Sequence, residues 1–224
     1  MSGPARELVR IGLGLAAVFA LTFVLLRLAG VLGVEDIRAW LAAAHRVDPA
    51  QGAALVVVLL FADLFVAMPT LTIAILGGHF LGAAWGGTAA VTGMLAAGIS
   101  GYGLGRRYGT AMLARLYRDE RRLAQIQDLF AERGLFVLLV CRALPILPEV
   151  SCCLAGATRM PFGRFLAGFC TGTVPFAIIA SQAGAASTMQ APMPAIVAFI
   201  ALPAVSWLCW YFLLLRPRRA RRAD

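Results

Sequence analysis

Residues 85–105 run WGGTAAVTGMLAAGISGYGLG without one charged side chain, and residues 192–215 do the same. Residues 11–34 and 161–187 are nearly as apolar, with a single arginine each, Arg27 and Arg164. A helix needs roughly 20 apolar residues to cross a hydrocarbon core of about 30 Å. Four such stretches in 224 residues leave little chain for anything but a bundle in lipid. The whole sequence agrees: 61% is hydrophobic and 14% charged, with a mean hydropathy of +0.83. A soluble domain is about half apolar and carries about a quarter charged residues.

Two further apolar stretches are built differently. Residues 50–81 contain Asp63, Pro69 and the pair Gly77-Gly78. Residues 134–160 contain "CRALPILPEV", with Arg142, Pro145, Pro148 and Glu149 close together. Proline removes a backbone donor and breaks a helix. A charge in lipid is costly. Both stretches are therefore expected to enter the membrane and turn back, with Pro69, Pro145 and Pro148 at the hairpin tips. Non-helical backbone at that depth needs burial in protein or a wet cavity.

The net charge of +9 comes from arginine without lysine, gathered in residues 106–133 and in the terminal "RPRRARRAD". The positive-inside rule accounts for that pattern, and nucleic acid is not an expected partner. Treating both odd stretches as hairpins puts the Arg-rich loop and the tail on one face, with both termini cytoplasmic. Arg27 is expected to snorkel to the outer interface. Residues 35–49 form a short amphipathic helix in the interface, with Ile37, Trp40, Leu41 and Ala44 on its apolar side.

The two odd stretches are related. At an offset of 79 residues, Asp63 falls on Arg142, Pro69 on Pro148, Gly77 on Gly156, Gly93 on Gly172 and Gly105 on Gly184. Thr72 falls on Ser151 and Thr92 on Thr171. With the expected topology the two copies enter from opposite faces. That is an inverted repeat, a plan in which broken helices meet near the bilayer midplane. The fold class expected is an all-α polytopic membrane protein, with two re-entrant helical hairpins and about four transmembrane helices. Residues 1–49 are the first span and interfacial helix, 50–188 the repeat core, and 189–224 the last span and basic tail.

The order Asp63, Pro69, "GGHFLGAAWGG", "GRRYG", "CRALPILPEV", "LAG" and "FGRF" resembles the DedA superfamily, and within it the VTT-domain, or SNARE-associated-Golgi-protein, branch. The resemblance covers roughly residues 50–188. It implies two facing re-entrant hairpins in an integral membrane protein, of a bacterial inner membrane in this case. It also implies movement of lipid between leaflets: scrambling of phospholipid or recycling of undecaprenyl phosphate, in some members driven by the proton-motive force. This chain departs at two positions. Asp63 stands where bacterial members typically carry Glu. Pro148, with Glu149 beside it, stands where they tend to carry a second Arg.

Arg142 is the leading candidate for a substrate contact, because its planar fork suits a phosphate headgroup. Asp63 and Glu149 are candidate proton carriers, since burial and a nearby Arg push a carboxylate's proton affinity in opposite directions. The bland alternative for all three is a structural ion pair. Gly77, Gly82, Gly86, Gly93, Gly98, Gly105 and Gly156 are assigned to close helix packing. His79 is read as a packed helix residue. The five cysteines are read as buried thiols. No cofactor, metal site or enzymatic motif is expected. The expected partners are membrane lipids with anionic phosphate headgroups, and protons. The expected function is lipid translocation. The alternatives are proton-coupled transport of small ions or anions, and a non-transporting scaffold.

Overall fold

The computed structural model describes residues 21, 34–66, 68–109, 134–135, 138–139, 141, 147–188 and 191–215. Most of the first expected span, Arg27, most of the Arg-rich loop, Arg142, Pro145 and the basic tail lie outside the described residues. Among the described residues the chain is all helical, with six α-helices. In chain order they are α1 (Val34–Val47), α2 (Pro49–Ala62), α3 (Thr70–Leu104), α4 (Leu147–Ala157), α5 (Phe162–Ala185) and α6 (Met193–Leu215). A π-type turn, Gly105–Gly109, extends α3.

Helix α1 covers most of the segment expected to form an amphipathic helix, and it turns one face to protein. Ile37 and Leu41 are fully buried, whereas Trp40 is exposed. The two buried residues are four apart and so share one face. That face packs into a core with Val56 and Leu60 of α2 and Ile73 of α3. Asp48 then caps α2 by accepting the Ala50 N–H at 2.9 Å, with Pro49 in the first turn. Both are standard helix-start devices.

Helix α3 is not one rod. Gly82 has φ 79° and ψ 168°, a region open essentially to glycine alone. There the chain reverses. A Cβ on Gly86 would come within 2.6 Å of the Gly77 carbonyl oxygen, yet nine residues of straight helix span about 13 Å. So α3 consists of a first arm, 70–81, folded against a second arm, 83–104. This corrects the packing role expected of Gly82: it is exposed, and a Cβ there would meet nothing within 4 Å. Its absent side chain serves the turn. Gly77, Gly86, Gly93 and Gly156 do sit at close approaches.

The first arm also runs antiparallel to α2. Gly77 lies against Val56, and Thr70 bonds to Asp63. Thus α2 and the first arm form a helical hairpin whose break is residues 63–69. Among the described residues two helical stretches are long and apolar enough to cross a bilayer, 70–109 and Phe162–Ala185. Because of the reversal, the part of the first that is long enough is 83–104, about 33 Å at 1.5 Å per residue. Exposed Trp85 and Tyr108 bracket it, as aromatic residues do at the two interfaces of a membrane. Val58, Phe65, Ile178, Ile179 and Ile200 point outward. So much outward apolar surface suits a lipid solvent rather than water.

The 79-residue offset reappears in the helices. Moved by 79, the first arm covers most of α4, Gly82 falls on Pro161, and the second arm falls on α5. Thr92 and Thr171 each return their hydroxyl to the carbonyl four residues back, at 2.7 Å. Gly93 packs on Leu60, and its counterpart Gly172 packs on Leu139. Gly78 meets the Ser181 carbonyl and Gly184 the Ile75 carbonyl; Gly156 meets Tyr102 and Gly105 meets Cys153. The last two contacts are the first two with the copies exchanged, to within one residue. The related helices, second arm and α5, run antiparallel: Gly98 is beside Phe169 and Gly87 beside Ser181.

Each end of this pair carries a fastener. At one end the Tyr102 hydroxyl donates to the Met160 carbonyl at 2.6 Å and accepts from Arg106 at 2.8 Å. Its ring stacks on Phe165 with centroids 4.6 Å apart. At the other end Ser181, the offset counterpart of Tyr102, donates to the Ala83 carbonyl at 3.5 Å. The His79 ring also meets the Ser187 carbonyl there, through Nδ1 at 2.9 Å.

Candidate functional site

Helix α2 ends at Asp63, which is 5% exposed. Its carboxylate spans the break in the hairpin. One oxygen accepts the Met68 N–H at 2.6 Å, and the other accepts the Thr70 hydroxyl at 2.8 Å. Between them Pro69 has φ −74° and ψ 72°, and the Thr70 N–H bonds to the Met68 carbonyl at 2.8 Å. This is an inverse γ-turn, which Pro favours because its φ is already fixed there. Pro69 therefore stands in the break, as expected of a hairpin tip. Asp63 supplies the acceptors that the interrupted helix leaves wanting.

The counterpart of this segment at the 79-residue offset runs into α4. Pro148 and Glu149 occupy the first turn of α4. A carboxylate there favourably faces the positive end of the helix dipole. Pro148 is the second residue of α4, and the segment before it that would carry a tip lies outside the described residues. The Pro148 carbonyl accepts the Ser151 hydroxyl at 2.7 Å. Pro145 and Arg142 lie in the preceding segment, outside the described residues.

Asp63 and Glu149, 86 residues apart in the chain, line one crevice. Thr70, Pro148, Met94, Cys152 and Phe169 share its lining. Met94 is near the middle of the second arm. The crevice therefore sits level with the centre of the second arm and α5. Of the three residues singled out from sequence, the fold brings these two together.

Thr70, Met94 and Phe169 went unnoticed in the sequence. Thr70 had a signal: it falls on Glu149 at the 79-residue offset. The lining thus contains one hydroxyl and one carboxylate at equivalent places, beside Asp63 and near the chain position of its counterpart Arg142.

The Asp63 geometry sets an expected mutational outcome. Asp63→Ala leaves the Met68 N–H without its acceptor. It should cost about 1–3 kcal/mol, the penalty of one unmet group. Asp63→Asn keeps an acceptor for Met68, and its amide can donate to the Thr70 oxygen. That hydroxyl can then turn to the Met68 carbonyl, 3.4 Å away. Thermal unfolding of the purified variants should place Asn well above Ala.

The sequence pattern that defines the VTT domain matches residues 68–186, over half of the chain. The match includes Glu149 and begins five residues after Asp63. No curated protein and no solved structure matches the chain.

Proposed function

The chain belongs to the VTT-domain family, of the DedA and SNARE-associated group, and from that premise we propose that this membrane protein is a lipid translocase. In this reading the two broken hairpins are re-entrant and form an inverted repeat. Their tips meet at mid-membrane. The crevice guides a phosphate-bearing headgroup between leaflets while the acyl tails stay in lipid. The observation that carries the reading is the meeting of Asp63 and Glu149 in one crevice, from segments that the 79-residue offset relates. Acids at membrane depth mark substrate or proton pathways; here Asp63 is buried and Glu149 is half-buried on the same crevice.

Arg142 attracts the phosphate in this scheme, and Asp63 competes for the same guanidinium. Protonation of Asp63 frees Arg142 for the headgroup, and departure of the lipid lets the pair re-form. The Met68 N–H and the Thr70 hydroxyl hold the carboxylate in place through the cycle. The test is purified protein in liposomes. A labelled phospholipid and, separately, a polyprenyl phosphate are followed between leaflets at two pH values, alongside leakage of an enclosed anion. Lipid transfer without anion leakage supports the translocase. Anion flux without lipid transfer favours a small-solute transporter instead.

The topology has its own expected result. In a variant lacking the five native cysteines, Arg118→Cys and Arg218→Cys should react with an impermeant thiol reagent from the same side. Labelling from opposite sides would mean that one broken hairpin crosses the membrane outright.

A further inference from the structure

Most threonines placed in these helices satisfy their hydroxyls locally. Thr88, Thr92, Thr158 and Thr171 each donate to the carbonyl four residues back, at 2.7–2.9 Å. Thr173 does not. It is fully buried, and among the described residues its Oγ is the buried side-chain atom with no hydrogen-bond partner. Such a group is costly to keep, because burial removes its water and nothing replaces it. Two residues further on, Pro175 interrupts α5, so the Thr171 carbonyl lacks its helical donor.

The location of this hydroxyl gives it meaning. Thr173 lies on the buried stripe of α5, one turn from Phe169 on one side and from Ala177 on the other. Phe169 meets Gly98 and Ser181 meets Gly87. Between those contacts the antiparallel register sets Met94 opposite Thr173. These two residues are also counterparts at the 79-residue offset, so they stand where the two copies face each other most directly. Met94 and Phe169 both line the crevice that holds Asp63 and Glu149. The unmet hydroxyl thus lies behind a crevice wall that is in part a methionine. A methionine side chain has three rotatable bonds and repacks readily.

We infer that Thr173 is a second station for the headgroup: its hydroxyl donates to a phosphate oxygen when the Met94 side chain swings aside. This rests on the translocase reading and adds to it the route the headgroup takes, from the acids toward α5. A hydroxyl donor suits an anionic oxygen, and the hydroxyl in the crevice lining, that of Thr70, is already bonded to Asp63.

The experiment uses the full chain in liposomes with labelled phospholipid, together with thermal unfolding of the same preparations. Thr173→Val keeps the shape and removes the hydroxyl. It should unfold at a higher temperature than the wild type, because it deletes an unmet polar group, yet transfer lipid about fivefold more slowly, the rate equivalent of one net hydrogen bond. Thr173→Ser should transfer at close to the wild-type rate. In the cysteine-free variant, Thr173→Cys should react with a small water-soluble thiol reagent, and excess short-chain phospholipid should protect it. Raised stability with unchanged transfer would make the hydroxyl a packing flaw and overturn the inference. A Thr173→Val protein less stable than the wild type, or a Thr173→Cys protein that never labels, would also overturn it. If the wild type moves no lipid, the translocase reading falls and takes this station with it. If the wild type moves lipid and Thr173→Val moves it equally fast, only the station falls.

Discussion

Gly78→Val is expected to yield no folded protein. A Cβ at residue 78 would fall on the Ser181 carbonyl oxygen and crowd its carbonyl carbon. The obstacle is backbone, so no rotamer relieves it. The first arm of α3 and α5 would have to separate, and Gly184 against the Ile75 carbonyl would lose its fit as well. The loss should exceed the 4–5 kcal/mol that marks an exceptional substitution. Gly163→Ala is the control. It lies in the first turn of α5, and a Cβ there would meet nothing within 4 Å. Its effect should stay within about 0.5 kcal/mol, as at an ordinary surface position. Yield of monodisperse protein in detergent and its unfolding midpoint read both. A Gly78→Val protein as stable as the control would mean that these helices do not touch as described.

The largest functional effect is expected at Arg142. Arg142→Ala removes the fixed positive charge and both prongs of the guanidinium. Charge-assisted hydrogen bonds are worth roughly 1.5–3 kcal/mol each. Losing two should slow lipid transfer by about 100-fold or more at tenfold per 1.36 kcal/mol. Arg142→Lys keeps the charge and loses the planar fork, so it should fall between. Asp63→Asn should weaken the dependence of transfer on pH while sparing much of the transfer itself. Transfer at the wild-type rate by a well-folded Arg142→Ala protein would make this arginine structural and remove the proposed competition with Asp63.

Much of this architecture could be read from residue order. The long apolar stretches foretold the second arm, α5 and α6, because a bilayer demands unbroken apolar length. The pairing of Asp63 with Arg142 and of Pro69 with Pro148 foretold the offset now seen in the helices. What escaped was local. Gly82 gave no sign that it marks a reversal, because glycine serves a turn and a tight helix contact equally well. Trp40 shares a helical period with Ile37 and Leu41, and the period cannot say which flank of the stripe meets protein. Thr70 and Thr173 are unremarkable in an apolar helix until their partners are known. Thr70 gains its importance from a carboxylate seven residues away across a bend, and Thr173 from the lack of any partner.

The unequal fasteners on α3 and α5 have a mechanical consequence. Two copies related by an offset and running head to tail would, with matched fasteners, part with equal ease at either end. Here one end is held by a short phenolic hydrogen bond, a stacked aromatic pair and an arginine. The counterpart serine reaches its carbonyl at the limit of bonding distance. The side chains therefore hold the two ends by different chemistry: a phenol, a ring stack and a guanidinium at one, and a long serine bond with the 2.9 Å His79–Ser187 contact at the other. The backbone repeats across the pair, but the side chains that fasten it do not.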